Sequence, residues 1–459
     1  MHSYLRFCNE VTSELSASVL VETESREKMT KKLQKKKVLF QLPVKLKPIY
    51  YGTQGRVIGI LNYFKDRKDY LSVDIVAANQ WLKESYITPK WDDEQTKEAL
   101  AYDVDNVFVY EGSNNIFDFV YTRSKIFYYQ VLLREQMPID IDFYSPPGYV
   151  NYVRSLASRT NYDFAWINTV NFAHLATVFQ DKQTRTVVDT HDIMCRLRKV
   201  LKDVLNYKGL KFDYDKNFAK EVDLLNTFDV VISDSNYEFS TLKYYLSDEK
   251  LWSIPHHVDR SNGGLELTPY RDREFKYDLL FLGMSNPQNT DAMQYFMSEI
   301  FPAIVKARPS VRLAIAGKIS NEIENIFNDI KADKNLLKNI DLLGYVPDLS
   351  ELYCQARVMV CPVRTGGGTN MRMVEAMSHF LPIVTTQQCA GALSIEHTVN
   401  AFVADDPVHY TDNVLQLLAD PSLAQTISDA IKTTYERQYS KRAIYAQLDS
   451  LFGIETSSV

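Results

Sequence analysis

Cysteine is scarce in this chain of 459 residues. The five that occur, Cys8, Cys195, Cys354, Cys361 and Cys389, are odd in number and lack the spacing of a zinc or thioredoxin-like site. A disulfide scaffold is therefore excluded, and a reducing, cytoplasmic setting is expected. Long apolar runs are also missing. None reaches the roughly 18 residues a membrane-crossing helix needs, and the N-terminus lacks the charged-then-apolar pattern of a signal peptide. An excess of positive charge is absent too: 52 Lys and Arg stand against 58 Asp and Glu, a net charge of -6. That argues against a general nucleic-acid binder. No internal repeat or low-complexity segment is present.

What remains is an ordinary globular composition, 45% apolar and 24% charged. At this length, two domains of about 200 residues each are expected, with a cleft between them. Residues 1–36 read as an extension. The lysine-rich run Lys31–Lys37 is expected to be a solvated face or tail; as a second reading it attracts an anionic membrane surface, at about 1 kcal/mol per lysine.

From residue 37 onward, apolar runs alternate with amphipathic segments. Those starting at Val38, Ser72, Asp163, Arg185 and Asp229 form a first series. Those starting at Tyr277, Arg312, Ile340, Val358 and Pro382 form a second, cleaner one. Strands alternating with helices predict α/β architecture with parallel, doubly wound sheets. The turn-forming string Ser261-Asn262-Gly263-Gly264 separates the series. The expected layout is a first domain over 37–260, a linker over 261–274, a second domain over 275–435, and a C-terminal helix over 436–459 that packs back on the first domain.

The most informative segment runs from Cys361 to Met377. An apolar strand enters Gly366, Gly367 and Gly368, Thr369 and Asn370 follow as candidate caps, and a helix carries Arg372 and Glu375. Glycines let backbone approach a ligand closely, and a helix N-terminus offers unpaired N–H groups to an anion. Arg372 and Glu375, three apart, share a helix face. A guanidinium suits a phosphate, and a carboxylate accepts hydrogen bonds from vicinal ribose hydroxyls. A plain surface ion pair is the alternative.

This segment resembles glycosyltransferase family four, the retaining GT-B enzymes also called glycosyl transferases group 1. Phe281-Leu282-Gly283 with Asn289, Leu313 to Gly317, Gly344 to Leu349, and Pro382 to Thr386 follow in the family's order. The resemblance, strong over residues 275–435, implies two Rossmann-like domains facing across a cleft. It implies base contacts near Tyr345, Val346 and Leu349, ribose binding by Glu375, and diphosphate binding by the glycine turn and Arg372. Met284 and the 286–289 region stand where many members have a basic pair, and Gly367 where many have a second glutamate.

In the first half, Gly52, Gly55 and Arg56 form a loop that is expected to face the donor phosphates, with a plain turn as the alternative. His191 and Asp192 end an apolar strand, where polar side chains meet the cleft of an open sheet, and are candidate catalytic groups together with Arg372. Asn168 and His174 are candidates for the acceptor border, and His256 and His257 read as hinge structure. The string Asp103-Val104-Asp105 lies in the acceptor half, so no metal and no other cofactor is expected. Taken with the resemblance, the expected reaction is transfer of a sugar from a nucleoside diphosphate sugar to an acceptor hydroxyl, with retention. The acceptor is a saccharide, lipid-linked or protein hydroxyl, and the setting is bacterial surface polysaccharide, glycolipid or glycoprotein assembly. A non-catalytic partner subunit and a nucleotide-sugar epimerase are the alternatives.

Overall fold

The computed structural model describes residues 35–47, 52–79, 91–200, 209–256, 267–365 and 369–455. Gly366, Gly367, Gly368, His257, the linker string at 261–264 and Lys31 to Gln34 lie outside the described residues.

The first sheet has seven strands: β1 (Lys36–Gln41), β2 (Leu71–Asn79), β3 (Asn106–Glu111), β4 (Phe164–Asn168), β5 (Arg185–Asp189), β6 (Val230–Ser233) and β7 (Leu251–Ser253). Their order is β3-β2-β1-β4-β5-β6-β7. The second sheet has six: β8 (Tyr277–Leu282), β9 (Leu313–Ala316), β10 (Ile340–Gly344), β11 (Ala356–Cys361), β12 (Ile383–Thr385) and β13 (Phe402–Val403), in the order β10-β9-β8-β11-β12-β13. Neighbouring strands pair in parallel throughout. Parallel strands are covered by helices on both faces, so the central ones are continuous apolar runs. Val230 to Ile232 and Leu279 to Phe281 are fully buried.

The helices that bear on the site are α1 (Gly52–Asp66), α2 (Ile116–Ile126), α3 (Asn236–Leu242), α4 (Pro287–Tyr295), α5 (Ser350–Gln355), α6 (Met371–Ser378), α7 (Gln387–Ala390), α8 (Pro421–Gln438) and α9 (Lys441–Phe452). In each sheet the order reverses once, between β1 and β4 and between β8 and β11. An open α/β sheet binds ligands at that reversal, outside the carboxyl ends of its strands.

One detail at the N-terminal end differs from expectation. Lys36 and Lys37 belong to β1 rather than to a solvated tail, because pairing with β2 satisfies their backbone. The Lys36 ammonium donates to the main-chain oxygen of Phe452. The C-terminal helix α9 buries Ile444, Leu448, Leu451 and Phe452 in the core of the first domain. There Phe452 stacks on Trp166, with ring centroids 6.1 Å apart. Arg67 of the first domain grips Asp449 with two hydrogen bonds of 2.8 Å.

Candidate functional site

A cavity of about 620 Å³ lies at the reversal point of the second sheet, with Gly52 and Leu197 of the first domain on its wall. That is the size of a site for a drug-sized or nucleotide-sized ligand. The floor is made by the carboxyl ends of β8 and β9. At Gly317 the backbone takes φ +87°, and a Cβ there would sit 2.2 Å from the Gly283 oxygen. Only glycine tolerates both, so the two strand ends approach closely and leave room above them.

Arg372, on the first turn of α6, reaches across that floor. Its Nη1 donates to the Leu282 oxygen at 2.5 Å and its Nη2 to Asn289 Oδ1 at 2.8 Å. The amide of Asn289 is itself fixed, since its Nδ2 donates to the Met284 oxygen at 2.8 Å. The guanidinium also lies 5.4 Å from the Phe281 ring centroid. These contacts hold a cation on the cavity wall.

One turn on, Glu375 lines the same cavity. Tyr353 of α5 donates its hydroxyl to Glu375 Oε2 at 2.7 Å, which leaves the other carboxylate oxygen for a ligand. Burial raises the Glu375 carboxyl above its ordinary range, against the Tyr353 hydrogen bond and nearby Arg372, which lower it. A carboxylate in this setting gains from a pair of hydroxyl donors. Tyr345, Val346 and Leu349 form one rim, where Tyr345 is 78% exposed. Asn370 Nδ2 lies 3.3 and 3.4 Å from the sulfurs of Cys361 and Cys389, which are 3.9 Å apart. Cys361 donates to Cys389, and that pulls the Cys389 thiol down to about 7.

The first domain contributes differently from expectation. Gly52 lines the cavity, but Gly55 and Arg56 do not. Gly55 packs against the His256 ring, which a Cβ would meet at 3.3 Å. Arg56, expected among the phosphate ligands, is 3% exposed and turned inward. It pairs with Asp189 at 2.9 Å and donates to the Ile254 and Pro255 oxygens at 2.8 and 2.9 Å. A buried carboxylate at a strand end needs that cation more than the cavity does.

His191 and Asp192 also lie off the cavity wall. His191 holds φ +60°, a strained conformation that clusters at functional sites. Asn168 donates its Nδ2 to the Gln41 oxygen, so its Oδ1 must accept, at 2.9 Å, from His191 Nε2–H. The basic nitrogen of His191 is therefore Nδ1. Burial lowers its pKa to about 4, so the ring is neutral near pH 7. His174 is engaged elsewhere, with its Nε2 2.8 Å from the Asp140 oxygen. Asp103 and Asp105 precede β3, at the end of the sheet opposite the cleft.

Sequence reasoning gave no site role to Cys389 or Asp234. Asp234 follows β6, and its main-chain oxygen accepts from Thr369 Oγ1 of the second domain at 3.2 Å. Nearby, the Asn236 N–H donates to the Ala392 oxygen at 3.1 Å. Asp192, Asp234 and Glu238 share this buried corner. Burial, with repulsion from Asp234, pushes Asp192 up to about 8, and burial, with repulsion from Asp189, pushes Asp234 up to about 7. The folded state thus holds protons that the unfolded chain, with carboxyls near their ordinary values, releases. Stability from this corner is full below the ordinary carboxylate range and is lost progressively as pH rises from there to about 7 to 8. Melting temperature is expected to fall across that window, and Asp234→Asn to flatten the fall; equal slopes in a pH series of melting curves would refute it.

Residues 276–420 match the family model described as glycosyl transferases group 1. They contain Glu375, Arg372 and the rest of the cavity floor. The second domain is thus similar to glycosyl transferases group 1. The whole chain has the GT-B fold of that group: it superposes on a Rickettsia africae glycosyltransferase with TM-score 0.60 and 14% identity, covering 93% of this chain and 100% of that one. It also superposes on Anabaena HepE, a structure containing UDP, with TM-score 0.59 and 15% identity, covering 92% and 100%. In sequence, a Klebsiella pneumoniae 44.6 kDa protein of the cps region is 22% identical over 274 residues, 56% of this chain and 69% of that protein. The Staphylococcus aureus capsular polysaccharide glycosyltransferase CapM is 24% identical over 158 residues, 33% of this chain and 40% of CapM. Within this group 1 fold, the cavity occupies the cleft side of the second domain.

Proposed function

We propose that this chain is a retaining glycosyltransferase that moves a sugar from a nucleoside diphosphate sugar to an acceptor hydroxyl during surface polysaccharide or glycolipid assembly. The observation that carries the reading is the pairing of Glu375 and Arg372 on one face of α6, both on the wall of one cavity at a sheet reversal. Glu375 binds the ribose hydroxyls. Arg372 and the amides that open α6 face the diphosphate and stabilise its charge as it leaves, the preorganised electrostatic role. The reaction needs no metal on this reading, and chelator should leave its rate unchanged. Similarity to CapM and to the cps-region protein supports the polysaccharide setting.

Met284, 40% exposed on the cavity wall, favours one second reading, a partner subunit that binds nucleotide without transfer. Thermal-shift titration with UDP, GDP, dTDP, ADP and their sugar conjugates separates the cases when followed by product analysis. Glu375→Ala is expected to weaken donor binding by roughly 10- to 100-fold, the value of one or two hydrogen bonds to a charged group. An unchanged donor affinity would sink the site assignment. Nucleotide binding without transfer or hydrolysis would favour the partner subunit, and conversion of donor alone would favour an epimerase.

A further inference from the structure

Two thiols meet behind the wall of the cavity. Cys361 ends β11 and Cys389 lies in α7, and their sulfurs are 3.9 Å apart. Their surroundings are unequal. Cys361 is fully buried, whereas Cys389 lines the cavity and is 5% exposed. Asn370, which opens α6, makes no side-chain cap for that helix, although asparagine is among the best capping residues. Its Nδ2 turns to the two sulfurs instead, at 3.3 and 3.4 Å. A neutral thiol is a weak acceptor, so an amide placed in this way gains most when one sulfur is a thiolate. Cys389 is that sulfur. Cys361 donates to it, and this bond, with the Asn370 amide and nearby Arg372, pulls its thiol down to about 7 against burial. The same bond and burial push the Cys361 thiol up, so Cys361 keeps its proton.

We infer that Cys361 and Cys389 form a peroxide-reactive thiol pair, in which Cys389 is oxidised from the cavity and Cys361 resolves it to a disulfide. The Cys389 thiolate attacks one oxygen of hydrogen peroxide and the O–O bond breaks. The second oxygen leaves as hydroxide, which becomes water with the proton that Cys389 has released. Cys389 is then a sulfenic acid, which condenses with a thiol. The Cys361 sulfur attacks it, the S–O bond breaks, and the hydroxyl leaves as water with the Cys361 proton. Two thiols and one peroxide thus give one disulfide and two waters. The sulfurs close from 3.9 Å to about 2.05 Å in this step. Closure draws α7 and the end of β11 together, and α7 also carries Gln388 of the cavity wall. It also takes from Asn370, at the opening of α6, the anion that its amide holds. Both changes fall beside Arg372 and Glu375, so oxidation lowers donor affinity. This last consequence rests on the transferase reading; the thiol pair does not.

The test exposes the full chain to hydrogen peroxide, blocks the remaining thiols with N-ethylmaleimide in urea, and maps the cysteines by mass after trypsin. Wild type is expected to show a Cys361–Cys389 link that dithiothreitol reverses, while Cys195, fully buried, stays reduced. Cys361→Ser is expected to stop at a sulfenic acid on Cys389 that dimedone traps, and Cys389→Ser to leave Cys361 reduced. In parallel, UDP, GDP, dTDP and ADP are titrated against reduced and oxidised wild type by thermal shift. Affinity for the nucleotide that binds is expected to fall roughly 10-fold on oxidation, about the value of one hydrogen bond to a charged group, and to recover with dithiothreitol. A wild-type Cys389 that stays reduced while other cysteines oxidise, or a Cys361→Ser chain with no trapped sulfenic acid, would overturn the inference. A link that leaves nucleotide affinity unchanged would overturn its consequence for the cavity. A reduced chain that binds none of the four nucleotides would sink the donor reading, while the link in the mass map would still support the thiol pair.

Discussion

Arg56→Met is expected to lower folding stability by about 3–5 kcal/mol, the loss typical of removing one partner from a buried ion pair. Asp189 is fully buried, and its Oδ2 has the Arg56 guanidinium at 2.9 Å. The same side chain also caps the oxygens of Ile254 and Pro255, so the substitution leaves acceptors from two distant segments without their donor. Nearby Asp234 loses a positive neighbour as well. Double substitution of Arg56→Met with Asp189→Leu should recover most of the loss, because the uncompensated charge is then gone. Urea denaturation checks both. A loss below about 1 kcal/mol, as for exposed pairs, would mean that the carboxylate is solvated or protonated.

Arg372→Ala is expected to lower kcat by about 10²- to 10³-fold, the scale for removing one preorganised donor to a developing negative charge. The measurement is steady-state transfer once a donor is found by the nucleotide titration. Asn289→Ala removes the anchor of Nη2 without removing the cation, so it should fall between wild type and Arg372→Ala. If Arg372→Ala changed KM alone, the guanidinium would contribute equally to ground state and transition state.

The second domain was legible in sequence because its central strands are buried on both faces and read as unbroken apolar runs. Glycines and a helix-spaced Arg372 and Glu375 pointed to one wall, since spacing on a helix fixes direction. The edge strands β3 and β13 were not legible. β3 exposes or half-exposes most of its residues, and β13 is two residues long, so neither has a pattern to read. Arg56 shows the limit at the site. An arginine beside a glycine loop looks like a phosphate ligand until the fold brings Asp189 to it. Tyr353 and Asp234 owe their positions to tertiary contacts with Glu375 and Thr369, which spacing along the chain does not encode.

The position of α9 has a consequence for biosynthesis. Trp166, Phe164 and Tyr63 of the first domain complete their packing against Phe452, which is made only after the whole second domain. Domains usually fold as units, N-terminal first, during synthesis. Here the first sheet can assemble early, but its apolar face stays uncovered until α9 has been made. The second domain, whose core draws on residues up to Tyr439, is complete sooner. The order of maturation is thus reversed relative to the order of synthesis, and a nascent chain stalled just before α9 would hold one finished domain and one open one.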